Sequence, residues 1–191
     1  MAMKQCFGDS TKAEQLAAWC EKTLETVNAC MEKVDADNAR KNVVYCLGPK
    51  GLNVLADGSF HAQIVSLCAD NAAKLESPVP HGDGNEIDME QLIVWDPDVI
   101  LFQHNSVYDK VADSRTWGQL RAVQSGAYYE IPCGPYGWIS SPPAVQCYLG
   151  LLWLTDILYP EYVDYDLKTE VTDYYKLFYG YELTVMMFDG S

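Results

Sequence analysis

The side chains best suited to chemistry in this chain are three histidines, a few loop aromatics and one glutamate. His61 follows an Asp57-Gly58-Ser59 turn, His81 lies in the loop SPVPHGDGNE (77–86), and His104 comes directly after a β-branched run at 99–103. A neutral imidazole is a common metal ligand. Each histidine is therefore either an exposed loop residue or a contact to a metal-bearing ligand, and their spacing does not separate the two. Tyr136 and Trp138 sit in CGPYGWISSPP (133–143), a glycine- and proline-rich run that must cross the surface irregularly. Aromatic faces suit macrocycles and catecholates through stacking and apolar contact; Trp138 could instead pack over the helix that follows. Tyr108 comes after the same strand as His104. Glu90, in MEQL, opens a short helix close to Glu86 and Asp88, where a carboxylate is locally favourable.

Other chemistries find little support. There is no Ser/His/Asp or Cys/His arrangement, no metal-ligand doublet and no dense carboxylate pair in these loops. The Gly48-Pro49-Lys50-Gly51 loop lacks both G-x-G-x-x-G and a Walker A pattern, which argues against nucleotide binding. The seven cysteines are odd in number and none forms a C-x-x-C pair. Cys20, Cys30, Cys46, Cys68 and Cys147 lie in apolar patterns, as small hydrophobes do, so reduced and mostly buried thiols are expected rather than a zinc or iron–sulfur site. A net charge of −14, with only 13 lysines and arginines, argues against nucleic-acid binding and favours cationic or neutral partners. No apolar run reaches 18 residues, and the N-terminus lacks the charged-then-apolar layout of a signal peptide.

At 191 residues the chain has room for one domain and an appendage. Apolar residues recur at helical spacing over 11–34, from Ala13 through Leu16, Leu24 and Val27 to Val34, with Ser10 or Thr11 as a cap. A polar linker precedes the strand NVVYCL (42–47). Ser59 can cap a helix over 60–70, residues 72–76 make a brief strand, and Asp88 caps a helix before the strand at 99–103. A strand at 127–131 feeds the aromatic loop. Ser141 and Pro142 then resemble an N-cap and first helical position for an apolar, buried helix ending at Leu158. An amphipathic helix follows at 165–178, and a short terminal one at 182–188.

Several of these runs resemble substrate-binding proteins of ABC importers, in the class that captures iron–siderophores, haem and cobalamin. DMEQLIVWDPDVILF (88–102) is similar to that family's "L-E-x-L-x-x-x-x-P-D-V-I-I" signature. TWGQLRAVQSGAYYEIP (116–132) resembles its "W-x-x-L-x-A-V-x-x-G-x-x-Y-x-V-P" segment, while GLLWLTDILYPEY and DYYKLFYGYEL look like its C-terminal helices. Helix 11–34 resembles the long helix joining the family's two lobes. The likeness covers roughly residues 8–184 in collinear order.

The resemblance implies an α/β fold: a three-layer α/β/α Rossmann-like lobe with a mainly parallel sheet, preceded by one long helix. It implies an interlobe-type helix over 1–38, a C-terminal ligand-binding lobe over 39–191, and an absent N-terminal lobe. Expected ligands are an iron–siderophore, haem or a corrinoid, with no intrinsic cofactor, contacted by Trp138, Tyr136, His104, His81, His61 and Tyr108. An ABC permease is the expected partner, docked through Glu90. The full-length protein would act outside the cytoplasm, although this chain carries no signal peptide. Without its partner lobe, the first helix should expose Leu16, Trp19 and Leu24 and favour self-association. The competing readings are a tetrapyrrole or metal chelatase-like enzyme, by fold analogy only, and a cytoplasmic structural module.

Overall fold

The most apolar short runs become the centre of one sheet. In the computed structural model, which describes residues 10–79, 84–140 and 142–183, helix α1 (Ser10–Ala36) leads to strand β1 (Asn42–Leu47). Then come β2 (Asn53–Val54), a 3-10 turn over Phe60–Ala62 continuing into α2 (Gln63–Cys68), β3 (Asp70–Asn71) and β4 (Asn85–Glu86). Helix α3 (Met89–Trp95), β5 (Val99–Phe102), α4 (Tyr108–Val111), a 3-10 turn over Trp117–Gln119 and α5 (Arg121–Gln124) follow. Strand β6 (Tyr128–Glu130), α6 (Cys147–Leu158) and α7 (Leu167–Tyr179) complete the described chain.

The strand order is β4-β2-β1-β5-β6, with β3 also paired to β1. The β1–β3, β1–β5 and β5–β6 pairs are parallel, and β1–β2 and β2–β4 antiparallel. Side chains alternate across a strand, so β1 and β5 each feed two cores. Val43, Tyr45, Leu47, Val99 and Leu101 join one cluster with residues of α1, α2, α6 and α7. Val44, Cys46, Ile100 and Phe102 join the other with Leu92, Val111, Trp117 and Ala122. Helices on both faces make the expected three layers.

The sheet's amino edge is locked by Asp98, which sits between Pro97 and β5. The Asn42 N–H donates to its Oδ2 at 2.9 Å, and the Arg121 guanidinium reaches Oδ1 at 3.0 Å and Asp96 Oδ2 at 3.2 Å. At the same edge, Tyr159 ends α6 with a buried hydroxyl that accepts from Lys41 N–H and donates to the Cys68 carbonyl, both at 3.0 Å.

Several expectations are corrected. Helix α1 packs on the lobe that follows it, and this changes which of its residues are exposed. Trp19 is buried, its ring 5.2 Å from Tyr174, 5.5 Å from Phe178 and 6.3 Å from Tyr148, and Leu16 is half-buried. Of the three residues expected to be exposed, Leu24 alone is, at 37%. The brief strand expected at 72–76 forms at Asp70–Asn71, and the antiparallel β2–β4 pair lies where loops were expected. Ser59 makes no capping bond, and its hydroxyl is buried without a partner. Asp88 caps α3 as anticipated, accepting from the Gln91 N–H at 2.7 Å. Helix α6 starts at Cys147, so Pro142 is not its first residue, and the Ser141 cap lies outside the described residues. The terminal helix expected at 182–188 falls mostly outside them too. Among the described residues, no helix is long and apolar enough to cross a membrane.

Candidate ligand-binding face

Because β1, β5 and β6 are parallel, their carboxyl ends share one edge, and ligands of open α/β sheets meet the loops there. Two features occupy that edge. The first is built by β5 and β6 ending side by side, with Phe102 paired to Glu130. One residue beyond β5 the chain turns sharply, with Asn105 at φ 60°, and this brings His104 over the end of β6. His104 Nδ1 lies 3.2 Å from Glu130 Oε2, while the Asn105 N–H donates to Glu130 Oε1 at 3.1 Å. Both side chains remain partly exposed, at 45% and 30%. Tyr108, half-buried, stands 5.7 Å ring-to-ring from Tyr128. Burial raises its phenol pKa, helped by neighbouring Tyr128 and the Glu130 carboxylate.

The second feature is an apolar groove of about 220 Å³ between the start of α2 and the start of α6. Phe60, His61 and Ile64 line one side; Ile139, Ala144 and Cys147 line the other. The His61 ring meets Phe60 edge-on, with centroids 5.5 Å apart. Cys147 donates its thiol to the Ile139 carbonyl at 3.0 Å, and burial raises its pKa, so it is a packed neutral thiol and a poor nucleophile.

The loop at 133–140 joins these features. Tyr175 donates to the Gly134 carbonyl, and the Gly134 N–H donates to the Tyr136 carbonyl at 3.0 Å, which leaves the Tyr136 ring 49% exposed. Trp138 belongs to the core cluster at 8% exposure, so its ring packs inward. Gly150 makes that crossing possible, since a Cβ there would collide with the Trp138 carbonyl. Of the predicted contacts, His104 and Tyr108 thus share one cluster, His61 stands in the groove, Tyr136 lies on the open loop and Trp138 is packed away. His81 lies outside the described residues. Glu130, Phe60 and Cys147 were not anticipated; Glu130 carried the one usable signal, a carboxylate closing a strand pattern. Among the described residues, no group of three or more His, Cys, Asp or Glu is placed to hold a metal ion.

Glu90 is exposed on the first turn of α3. Strand β4 leads into α3 from the end of the sheet where Leu47 pairs with Asn53, so Glu90 also lies toward the carboxyl edge.

An α/β lobe with a mostly parallel sheet, an open carboxyl edge and a long leading helix has solved relatives of the same fold. An ABC transporter solute binding protein from Sulfurospirillum deleyianum superposes with a TM-score of 0.89 at 28% identity, over 97% of this chain and 57% of its own. MolA of Haemophilus influenzae bound to molybdate (TM-score 0.73, 21% identity, 96% and 55%) and CeuE of Helicobacter pylori with Ni(II) bound (0.73, 18%, 95% and 56%) share the fold. In sequence, the molybdate-binding protein MolA of Haemophilus influenzae is 30% identical over 97 residues, which is 49% of this chain and 27% of that protein. The chain belongs to the periplasmic binding protein family, which matches residues 5–133. It spans 55–57% of the length of these three solved relatives.

Proposed function

We propose that this chain is the interlobe helix (1–38) and C-terminal lobe (39–191) of a two-lobed ABC-importer substrate-binding protein. It captures a metal chelate, of the iron–siderophore, haem or corrinoid kind, and presents it to a membrane permease. The observation that carries this reading is the carboxyl edge, whose loops hold both an apolar groove beside His61 and the polar His104–Glu130 pair. A chelate offers both an apolar body and a polar metal centre. The groove's volume of about 220 Å³ lies below the roughly 300–1,000 Å³ of complete small-molecule sites, as expected of one wall of a two-walled cleft. His104, Tyr108, Tyr136 and His61 are the proposed contacts. Glu90, exposed and without an ion pair among the described residues, meets the requirements of a docking carboxylate. The role is binding and delivery rather than catalysis, outside the cytoplasm in the full-length protein.

A second reading, an oxyanion ligand, is favoured by the 30% identity with a molybdate-binding protein. The Glu130 carboxylate at the edge opposes it. Calorimetric titration with a ferric hydroxamate, haemin, cobalamin, nickel–histidine and molybdate tests both. Saturable micromolar binding of a chelate, weakened at least fivefold by His104→Ala, is expected. Molybdate binding without chelate binding would select the second reading. No binding of any probe up to millimolar concentration would overturn both.

A further inference from the structure

We infer that Glu130 is a positioning residue: it holds the His104 imidazole by Nδ1 and so makes Nε2 the ring atom that meets ligand; this rests on the His104 contact proposed above. His104 occupies a four-residue turn at the end of β5, closed by the Ser106 N–H donating to the Gln103 carbonyl at 3.1 Å. Asn105 takes the left-handed position of that turn, at φ 60°, a conformation asparagine tolerates better than most residues. Both oxygens of Glu130 serve this turn. Oε1 accepts the Asn105 N–H at 3.1 Å, and Oε2 lies 3.2 Å from His104 Nδ1. The carboxylate is itself anchored, because Glu130 pairs with Phe102 in the sheet and the Ile131 N–H donates to the Phe102 carbonyl at 2.8 Å.

The chemistry of the pair fixes the ring. An ionised carboxylate only accepts, so the nitrogen facing it must carry a proton. A neutral imidazole has one N–H, and with that proton on Nδ1 the lone pair is on Nε2. Among the described residues Nε2 has no hydrogen-bond partner, and the His104 side chain is 45% exposed. A histidine held in this way offers an oriented and more basic nitrogen to a metal centre or to a ligand N–H. Its turn and ring are ordered before ligand arrives, which spares the binding step that cost. Each Glu130 oxygen is engaged with the turn, which marks the carboxylate as the support and the imidazole as the contact.

Long-range proton–nitrogen NMR spectra of the isotope-labelled chain read histidine tautomers directly, at about pH 8.5, where an ordinary imidazole is neutral. His104→Ala assigns the signal. His104 should carry its proton on Nδ1. Glu130→Gln should move it to Nε2 with unchanged melting, since the amide oxygen can keep the Asn105 N–H while the amide N–H donates to Nδ1. In titrations with nickel–histidine and a ferric hydroxamate, Glu130→Gln should weaken binding by about fivefold or more. In a His104→Ala background it should weaken binding no further. A parent His104 with its proton on Nε2 would overturn the inference, as would a tautomer that Glu130→Gln leaves unchanged. Binding undiminished by Glu130→Gln but weakened by His104→Ala would overturn it and leave the His104 contact standing. Additional weakening in the His104→Ala background would make Glu130 a contact in its own right and overturn the positioning role. Binding that His104→Ala leaves unchanged, or no binding of either probe, would remove the contact and this inference together.

Discussion

Trp19 decides whether α1 is part of this lobe or an arm that merely leaves it. Its ring is buried against Tyr174, Phe178 and Tyr148, so truncation to alanine empties a site bounded by α6 and α7. Trp→Ala in a core costs about 3–5 kcal/mol. The indole N–H is buried without a hydrogen bond, and losing that uncompensated group recovers part of the cost, which places Trp19→Ala near the lower end, at about 3 kcal/mol. For a domain of this size about 1 kcal/mol corresponds to about 2–4 °C, so Tm should fall by about 6–12 °C. Leu24→Ala, on the exposed side of the same helix, should stay within about 0.5 kcal/mol of the parent. Urea unfolding followed by far-ultraviolet circular dichroism, with parallel thermal melts, gives both numbers. If Trp19→Ala melts within about 2 °C of Leu24→Ala, α1 does not fold with the lobe and the packing account fails.

Four further outcomes are expected. The Asp156 pKa is raised by burial and by the nearby Asp166 charge, so the ionised form opposes folding at neutral pH and that penalty disappears as pH falls through the raised value. Asp156→Asn should therefore raise Tm at pH 7 and leave it unchanged at pH 3. Among the described cysteines, exposed Cys133 should react first with a thiol reagent, whereas Cys68, buried with its pKa pushed up to about 12, should react only on unfolding; Cys133→Ser should remove a fast phase. Glu90→Ala should leave Tm within about 1 °C while lowering ligand transport in the two-lobed protein, and an undiminished rate would end its docking role. Haemin, cobalamin and ferric hydroxamate should bind this one-walled site no tighter than micromolar, and nanomolar titration curves for the chain alone would contradict the half-site account.

The layers of the fold were legible because local signals agreed with the long-range ones. NVVYCL and VILF are short apolar runs bounded by turn residues, and both became central strands buried on two faces. Asp88 announced a helix start, and its carboxylate accepts the expected N–H three residues on; Asp166 caps α7 in the same way but was not anticipated. The misses share a cause. β2, β3 and β4 are two residues each, too short for any periodicity to register, and they exist because β1 offers an edge to β2 and β3, and β2 in turn offers one to β4. Serine next to a helical pattern reads as a cap, but at Ser59 the turn that follows is 3-10 and the hydroxyl points into the lobe.

The candidate site was harder to read because its parts are remote in sequence. His104 and Glu130 lie 26 residues apart and meet only because β5 and β6 pair in a register that ends them together. Position after a strand could place His104 on the right edge, but it could not supply the carboxylate beside it. The aromatics show the opposite error. Trp138 and Tyr136 are two residues apart in one loop, and type alone treats them alike. Gly150, which admits the loop backbone against α6, lets Trp138 turn inward while Tyr136 stays out. A glycine in an otherwise apolar helix was an available signal of such an approach, because helix propensity disfavours the residue there, but it was not read as one. What the edge can grip therefore follows from which side chains the sheet brings together, and a histidine already beside a carboxylate is better suited to a metal centre or a cation than to a bare anion.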